Sequence, residues 1–361
     1  MGYERLPRMN PSILSSVLLV VLTGPPDSSG GTGKGGAATA LLEKGSRLFQ
    51  QGDIPGALQA FDGAAKADPA DARPHYLRGL ALEKRADAAG AEAAYRAAIA
   101  RKADFAEAHN NLGTLLLGKG DAPGAAREFE AAVKAQPAYP EAQYNLGVAR
   151  DAQGGQADAV GPYREAVHLR PSDPTYRLNL GAALRRRGDL DGALAAFIEA
   201  TRLAPKDPMG WANLGMVQSD KKAYDDAAGS LEHATKLKPD FALGWDRLGR
   251  VELRRGHVDR AVDAGERARK IDPKNGAFAA DLCRSLIEKK NTTRAVAECR
   301  AAVALDAKNP LALYELGKAL VANGDCADAR KELARFRALP NVKPEAKTQA
   351  DAIAKLCVKP N

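Results

Sequence analysis

One spacing constrains this chain more than any other property: small residues recur every 34 positions from Ala38 to Lys343, with no insertion or deletion. Steps of 34 from Gly45 land on Gly79, Gly113, Gly147, Gly181, Gly215 and Gly249, then on Cys283, then on Gly317. A second series is alanine throughout: Ala57, Ala91, Ala125, Ala159, Ala193, Ala227, Ala261, Ala295 and Ala329. A third runs from Ala64 to Ala302 at the same interval and ends in Phe336. Unrelated helices do not hold three small-residue registers over such a length, so residues 38–343 are nine copies of one unit.

Within each copy apolar residues recur at helical spacing in two blocks, parted by a Gly-Asp turn such as Gly120-Asp121 or Gly188-Asp189. The first block carries the glycine and a preceding leucine (Leu112, Leu146, Leu180, Leu214, Leu248, Leu282, Leu316). The second carries the two alanines with a large residue between them: Phe61, Tyr95, Phe129, Tyr163, Phe197, Leu231 and Leu333. Small residues let two antiparallel helices approach closely, and the large one fills the space beside them. Pro69, Pro137, Pro171, Pro205, Pro239 and Pro273 then stop the second helix in six copies. This pattern resembles the tetratricopeptide repeat (TPR), and Trp211 and Trp245 occupy that family's tryptophan position. The resemblance implies an all-α fold, an α-solenoid built as a right-handed superhelix of helix-turn-helix units.

Three segments follow: 1–37 outside the array, 38–343 the nine repeats, and 344–361 a C-terminal cap and tail. A solenoid grows by adding neighbours, so 361 residues need not split into separate globular domains. Both ends of a stack need covering. Pro344 to Val358 reads as a capping helix with Ala346, Ala350, Ile353 and Cys357 on one face. No comparable N-terminal cap is apparent, and Lys44 and Arg78 replace the core leucine in the first two repeats.

In the first segment Arg5 and Arg8 precede an apolar run, Ile13 to Leu22, followed by Gly24-Pro25-Pro26 and a Ser/Gly tract to Gly36. The run falls short of the ~20 residues that cross a bilayer and fits the hydrophobic region of a secretory signal. A tail on a cytosolic protein is the alternative. The four cysteines bear on the choice. Residues equidistant from a turn meet when two helices fold back, and Cys283 and Cys299 are centred on Asn291, the turn of the eighth repeat. Cys326 and Cys357 are centred on Asn341/Val342, the turn before the cap. Of the three pairings four cysteines allow, this one meets the short Cα separation a disulfide needs. Each closed loop would contribute about 3 kcal/mol, and disulfides belong to oxidising compartments. The competing reading has the cysteines filling small-residue slots, as Cys283 does in the glycine register.

Catalytic and metal-binding patterns are missing. Gly30-Gly31-Thr32-Gly33-Lys34-Gly35 lacks the Ser/Thr and the preceding strand of a phosphate loop. The five histidines (His75, His109, His168, His233, His257) form no zinc-like spacing, and His75 and His109 sit at the tryptophan position. No nucleophile elbow occurs. The expectation is a non-enzymatic protein with no catalytic residue, no metal and no cofactor. A net charge of +8 and 5% aromatic residues offer little for stacking bases, so no nucleic-acid partner is expected. The mature chain is expected to lack a membrane span.

In arrays of this family the residues at positions 2, 5, 6, 9, 12 and 13 of each repeat face a concave groove. Position 6 reads Glu43, Leu77, Asn111, Asn145, Asn179, Asn213, Arg247, Asp281, Glu315. The four successive amides resemble the asparagine ladder in the repeat region of O-linked N-acetylglucosamine transferases, which implies pairing with a peptide backbone. The other reading is that Asn-Leu-Gly is simply common in this repeat. Next to the ladder the groove reads as basic: Arg247, Arg250 and Arg254 on one face, with Arg284 and Lys318 in the next two repeats. No carboxylate clamp of the chaperone-binding members is present. The leading expectation is therefore an exported bacterial scaffold in a periplasmic or cell-envelope assembly (secretion, pilus, motility or wall synthesis). It would bind a protein or peptide, one bearing an acidic segment, in its groove. A cytosolic adaptor and the substrate-recruiting subunit of a glycosyltransferase are the alternatives.

Overall fold

The computed structural model describes residues 34–154 and 156–357. The signal-like run Ile13–Leu22 lies outside them. All regular structure among the described residues is helical. The helices come in pairs, one per repeat: α1 (Lys34–Gln51) and α2 (Ile54–Ala67), α3 (Arg73–Lys84) and α4 (Ala88–Arg101), α5 (Ala106–Gly118) and α6 (Ala122–Ala135). Next come α7 (Pro140–Ala152) and α8 (Gln156–Leu169), α9 (Pro174–Arg187) and α10 (Leu190–Leu203), α11 (Pro208–Asp220) and α12 (Tyr224–Leu237). The series continues with α13 (Ala242–Arg254) and α14 (Val258–Ile271), α15 (Gly276–Glu288) and α16 (Thr292–Leu305), α17 (Pro310–Asn323) and α18 (Cys326–Ala338). A single helix, α19 (Pro344–Lys355), is the last among the described residues. Odd-numbered helices up to α17 are the first (A) helices of their repeats and even-numbered ones the second (B). The described chain divides between Pro171 and Ser172 into two compact bodies, one carrying α1–α8 and the other α9–α19.

The turn inside each repeat is fixed by backbone chemistry. Its fifteenth position has positive φ in all nine repeats: Gly52, Ala86, Gly120, Gly154, Gly188, Lys222, Gly256, Lys290 and Gly324. Glycine adopts this left-handed conformation without steric cost, which explains six of the nine. In four repeats the aspartate that follows caps the B helix. Asp53, Asp87, Asp121 and Asp189 each accept a hydrogen bond from the glycine N–H three residues on, at 2.8–2.9 Å.

The small-residue registers are the packing surface. A Cβ placed on Gly113 would lie 2.7 Å from the Phe129 ring, and one on Gly181 equally close to Phe197. Gly45, Gly79, Gly147, Gly215 and Gly317 stand in the same relation to Phe61, Tyr95, Tyr163, Leu231 and Leu333. The A helix thus carries a hole into which its own B helix inserts the large residue. The alanine series lines the buried back of the B helices: Ala57, Ala91, Ala125 and their successors are fully buried.

Two boundaries differ from the sequence reading. The first helix starts at Lys34, so Lys34 to Gly36 belong to the array rather than to the linker. The capping helix ends at Lys355, short of Val358, and Cys357 follows it. Its apolar face packs as expected, with Ala350 fully buried beside Leu333 and Phe336 and with Ala346 and Ile353 partly buried there. The structure brings together both expected cysteine pairs. The Cα atoms of Cys283 and Cys299 are 5.4 Å apart, those of Cys326 and Cys357 5.3 Å.

Candidate functional site

The A-helix positions expected to face a partner are best followed within each body. In the N-terminal body the amides are committed internally. Asn145 Nδ2 donates to Asn110 Oδ1 at 2.9 Å, and Asn110 Nδ2 reaches Asn111 Oδ1 at 3.4 Å. Asn111 Nδ2 in turn donates to the hydroxyls of Tyr76 (3.2 Å) and Tyr95 (3.5 Å), and Tyr95 donates to Glu83 Oε2 at 2.5 Å. The chain of bonds links α3, α4, α5 and α7. Asn111 is only 7% exposed. The expectation that it offers a free amide to a ligand is therefore corrected: the two tyrosines draw it into the core, where an unpaired amide would be costly. Burial raises the Tyr76 and Tyr95 hydroxyls well above their ordinary range and lifts the Glu83 carboxyl.

A sequence signal for this network existed. Where the large B-helix residue is tyrosine, position 12 carries an acid: Tyr95 with Glu83, and Tyr163 with Asp151 at 3.1 Å. Where it is phenylalanine, position 12 carries no acid: Phe49, Leu117 and Arg185 stand there, beside Phe61, Phe129 and Phe197.

The C-terminal body presents the rest of the ladder. Asn179 Nδ2 donates to the Thr175 carbonyl of its own helix at 2.9 Å. Asn213 is half-buried and makes no side-chain hydrogen bond among the described residues. Beyond it, on α13, α15 and α17, lies a mixed-charge cluster where the sequence reading expected a basic one. Arg284 Nε donates to Glu315 Oε1 at 2.9 Å, and Lys318 Nζ to Glu315 Oε2 at 3.0 Å. Arg284 also lies 3.8 Å from Asp281. Those two cations are thus matched by a buried carboxylate and are not held out for an acidic ligand. Burial works against the Arg284 charge, but Glu315, Asp281 and Asp246 keep its pKa raised.

Arg250 and Arg254 are exposed, and Arg247 is half-buried. Asp246, which the sequence reading did not single out, is 6% exposed. Burial pushes its carboxyl up to about 7, with the nearby Asp281 adding to the rise and Arg250, Arg247 and Arg284 opposing it. Burial also raises Asp281. The two carboxyls stand in the register of Asn110 and Asn145, so two acids meet where the earlier repeats have a hydrogen-bonded amide pair.

The tryptophan position behaves as a packing and hydrogen-bonding post. Trp211 and Trp245 donate their indole N–H to the carbonyls of Pro205 and Pro239, each at 2.9 Å. The His233 ring packs against Trp211 at a tilt of 53°, and Arg267 lies over Trp245 at 4.4 Å from the ring centre. His109 makes the same bond, Nε2 to the Ala103 carbonyl at 3.0 Å, while Nδ1 faces Glu128 at 2.7 Å. The Glu128 carboxylate raises the His109 pKa, against burial.

A profile for the tetratricopeptide repeat matches residues 110–174, 157–208, 178–241, 213–276 and 247–310, together more than half of the chain. A second TPR profile matches residues 45–85. The chain belongs to the tetratricopeptide repeat family. Among solved structures, the Cut9–Hcn1 assembly of the APC/C is 19% identical with a TM-score of 0.54; the match covers 80% of this chain and 57% of that one. That likeness is one of fold. YrrB, described as a TPR protein with an unusual peptide-binding site, is 26% identical with a TM-score of 0.49, over 52% of this chain and 96% of its own. PilF of Pseudomonas aeruginosa is 19% identical with a TM-score of 0.49, over 58% of this chain and 95% of its own. No curated protein matches this chain. As a TPR array the chain is a protein-interaction scaffold. No helix among the described residues is long and apolar enough to cross a membrane.

Proposed function

We propose that the partner is a protein segment lying extended along the A-helix face of the C-terminal body, over α11 and α13. The observation that carries this is the contrast between the two bodies. Asn111 and Asn145 spend their amides on side chains of their own fold, whereas Asn213 makes no side-chain hydrogen bond among the described residues. Arg250 and Arg254 stand exposed on the neighbouring A helix. A peptide backbone would pair with Asn213, and an acidic stretch would meet the two arginines. Each neutral hydrogen bond contributes roughly 0.5–1.5 kcal/mol net, so selectivity falls to the charges, which also make association salt-dependent. The test is affinity for the protein that co-purifies with the full chain. Asn213→Ala with Arg250→Glu and Arg254→Glu should weaken it by about tenfold or more and flatten its salt dependence. Wild-type affinity in that triple variant would move the site elsewhere.

We further infer that the chain is exported and acts in the cell envelope. The support is the signal-like segment together with two cysteine pairs at disulfide separation, a chemistry of oxidising compartments. Fractionation checks this: the full-length, unprocessed chain recovered with cytosolic markers would contradict it.

A further inference from the structure

The eighth repeat departs from the rule that packs its neighbours, and it does so where the cysteines are. In seven repeats a large B-helix residue fills the hole at the A-helix glycine. Cys283 and Cys299 occupy those two registers and are both fully buried. The seventh repeat is small at both places as well, Gly249 and Gly265, and Leu282 of α15 packs on Gly265 instead. A covalent bond therefore joins the two positions that elsewhere hold a glycine and a large residue, the two cysteines sharing between both helices the volume that one large side chain fills in the other repeats. The outer pair differs in access. Cys326 opens α18 and is half-buried, while Cys357 is buried in the same apolar cluster as Cys283 and Cys299. Beyond that bond α19 is held by a short apolar face, an Arg337–Asp351 ion pair at 2.8 Å, and Arg330 donating to the Cys357 carbonyl at 2.6 Å.

We propose that the two pairs form a two-stage redox latch on the C-terminal end of the array. The outer bond opens first and frees α19 from α17 and α18; the inner bond, buried behind α17, becomes reachable once that uncovered end loosens, and its loss loosens the α15–α16 hairpin. The co-reactant is a dithiol. Its thiolate attacks Cys326 Sγ, forming a mixed disulfide and expelling the Cys357 thiolate. Its second thiolate then closes on the first, expelling the Cys326 thiolate. The protein pair gains two electrons and two protons to become two thiols, and the reductant becomes a cyclic disulfide. The inner pair follows the same course once a sulfur is exposed. This device does not depend on where the partner binds.

The full chain is treated with dithiothreitol in native buffer, quenched with N-ethylmaleimide at intervals and mapped by mass spectrometry, with hydrogen exchange measured in parallel. Cys326 and Cys357 should become labelled about tenfold or more faster than Cys283 and Cys299, given access-limited exchange. Exchange should rise first in α19 and, at the second stage, in α15 and α16, with α3 to α7 unchanged. Cys326→Ser with Cys357→Ser should speed reduction of the inner pair. Cys283→Gly with Cys299→Phe restores the packing of the other repeats and should make α15 and α16 indifferent to reductant. Simultaneous labelling of all four cysteines, or full reduction that leaves exchange in α15 and α16 unchanged, would overturn the latch. So would reductant-dependent exchange of α15 and α16 in the glycine–phenylalanine variant.

Discussion

The Asp246 carboxyl is 6% exposed and makes no hydrogen bond or ion pair among the described residues. Burial and the nearby Asp281 raise it from 3.8 to about 7. The folded chain therefore holds a proton that the unfolded chain has released, and stability falls as pH rises from about 4 to about 7, with the loss complete above that window. Urea denaturation of wild type and Asp246→Asn across this range should show the difference in midpoint growing in the variant's favour with pH; parallel curves would contradict the assignment. His109 has a dependence of the same sign in a higher window. Its raised pKa gives a contribution present below the unfolded value of 6.5 and lost as pH rises through the folded one, which Glu128→Gln should abolish. Asn111→Ala leaves the Tyr76 and Tyr95 hydroxyls short of a buried donor, so a loss of about 1–3 kcal/mol of stability is expected by chemical denaturation. That side chain was legible in the sequence as a member of an asparagine series. Its burial was not, because it depends on tyrosines from two other helices.

At the level of the helix pair, the same position turns left-handed in every repeat, yet Ala86, Lys222 and Lys290 carry a Cβ there. The left-handed conformation costs an L-residue roughly 1–2 kcal/mol, partly offset by the flexibility glycine adds to the unfolded chain. Ala86→Gly, Lys222→Gly and Lys290→Gly should each raise stability by about 0.5–1 kcal/mol in urea titrations. Unchanged or lower midpoints would mean the turns are not strained. Gly113→Ala should act the other way, by about 1–3 kcal/mol, since its Cβ would meet Phe129 at 2.7 Å. These turns and holes were readable from the 34-residue count, because each rests on contacts within one repeat. The cysteine pairing was readable for the same reason, being symmetric about a turn. Counting 34 back from Leu333 also lands on Cys299, which places the inner pair in the aromatic register.

For the whole molecule, periodicity carried the fold because within each body a repeat buries its face against its neighbour. It could not carry the site. The groove positions repeat at the same interval whether they serve a partner or the fold, and only neighbours in space decide which. Asn111 and Asn213 share a register, yet one is bonded to Tyr76 and Tyr95 and the other has no side-chain partner among the described residues. Arg284 and Arg254 both read as groove cations, yet one is matched by Glu315 and the other is exposed. The proposed partner lies on the A-helix face of the C-terminal body. Hydrogen exchange of the full chain, with and without the protein that co-purifies with it, tests this most directly. Protection on binding is expected in α11 and α13. Protection confined to the B helices α10, α12 and α14, or to α1–α8, would contradict the claim.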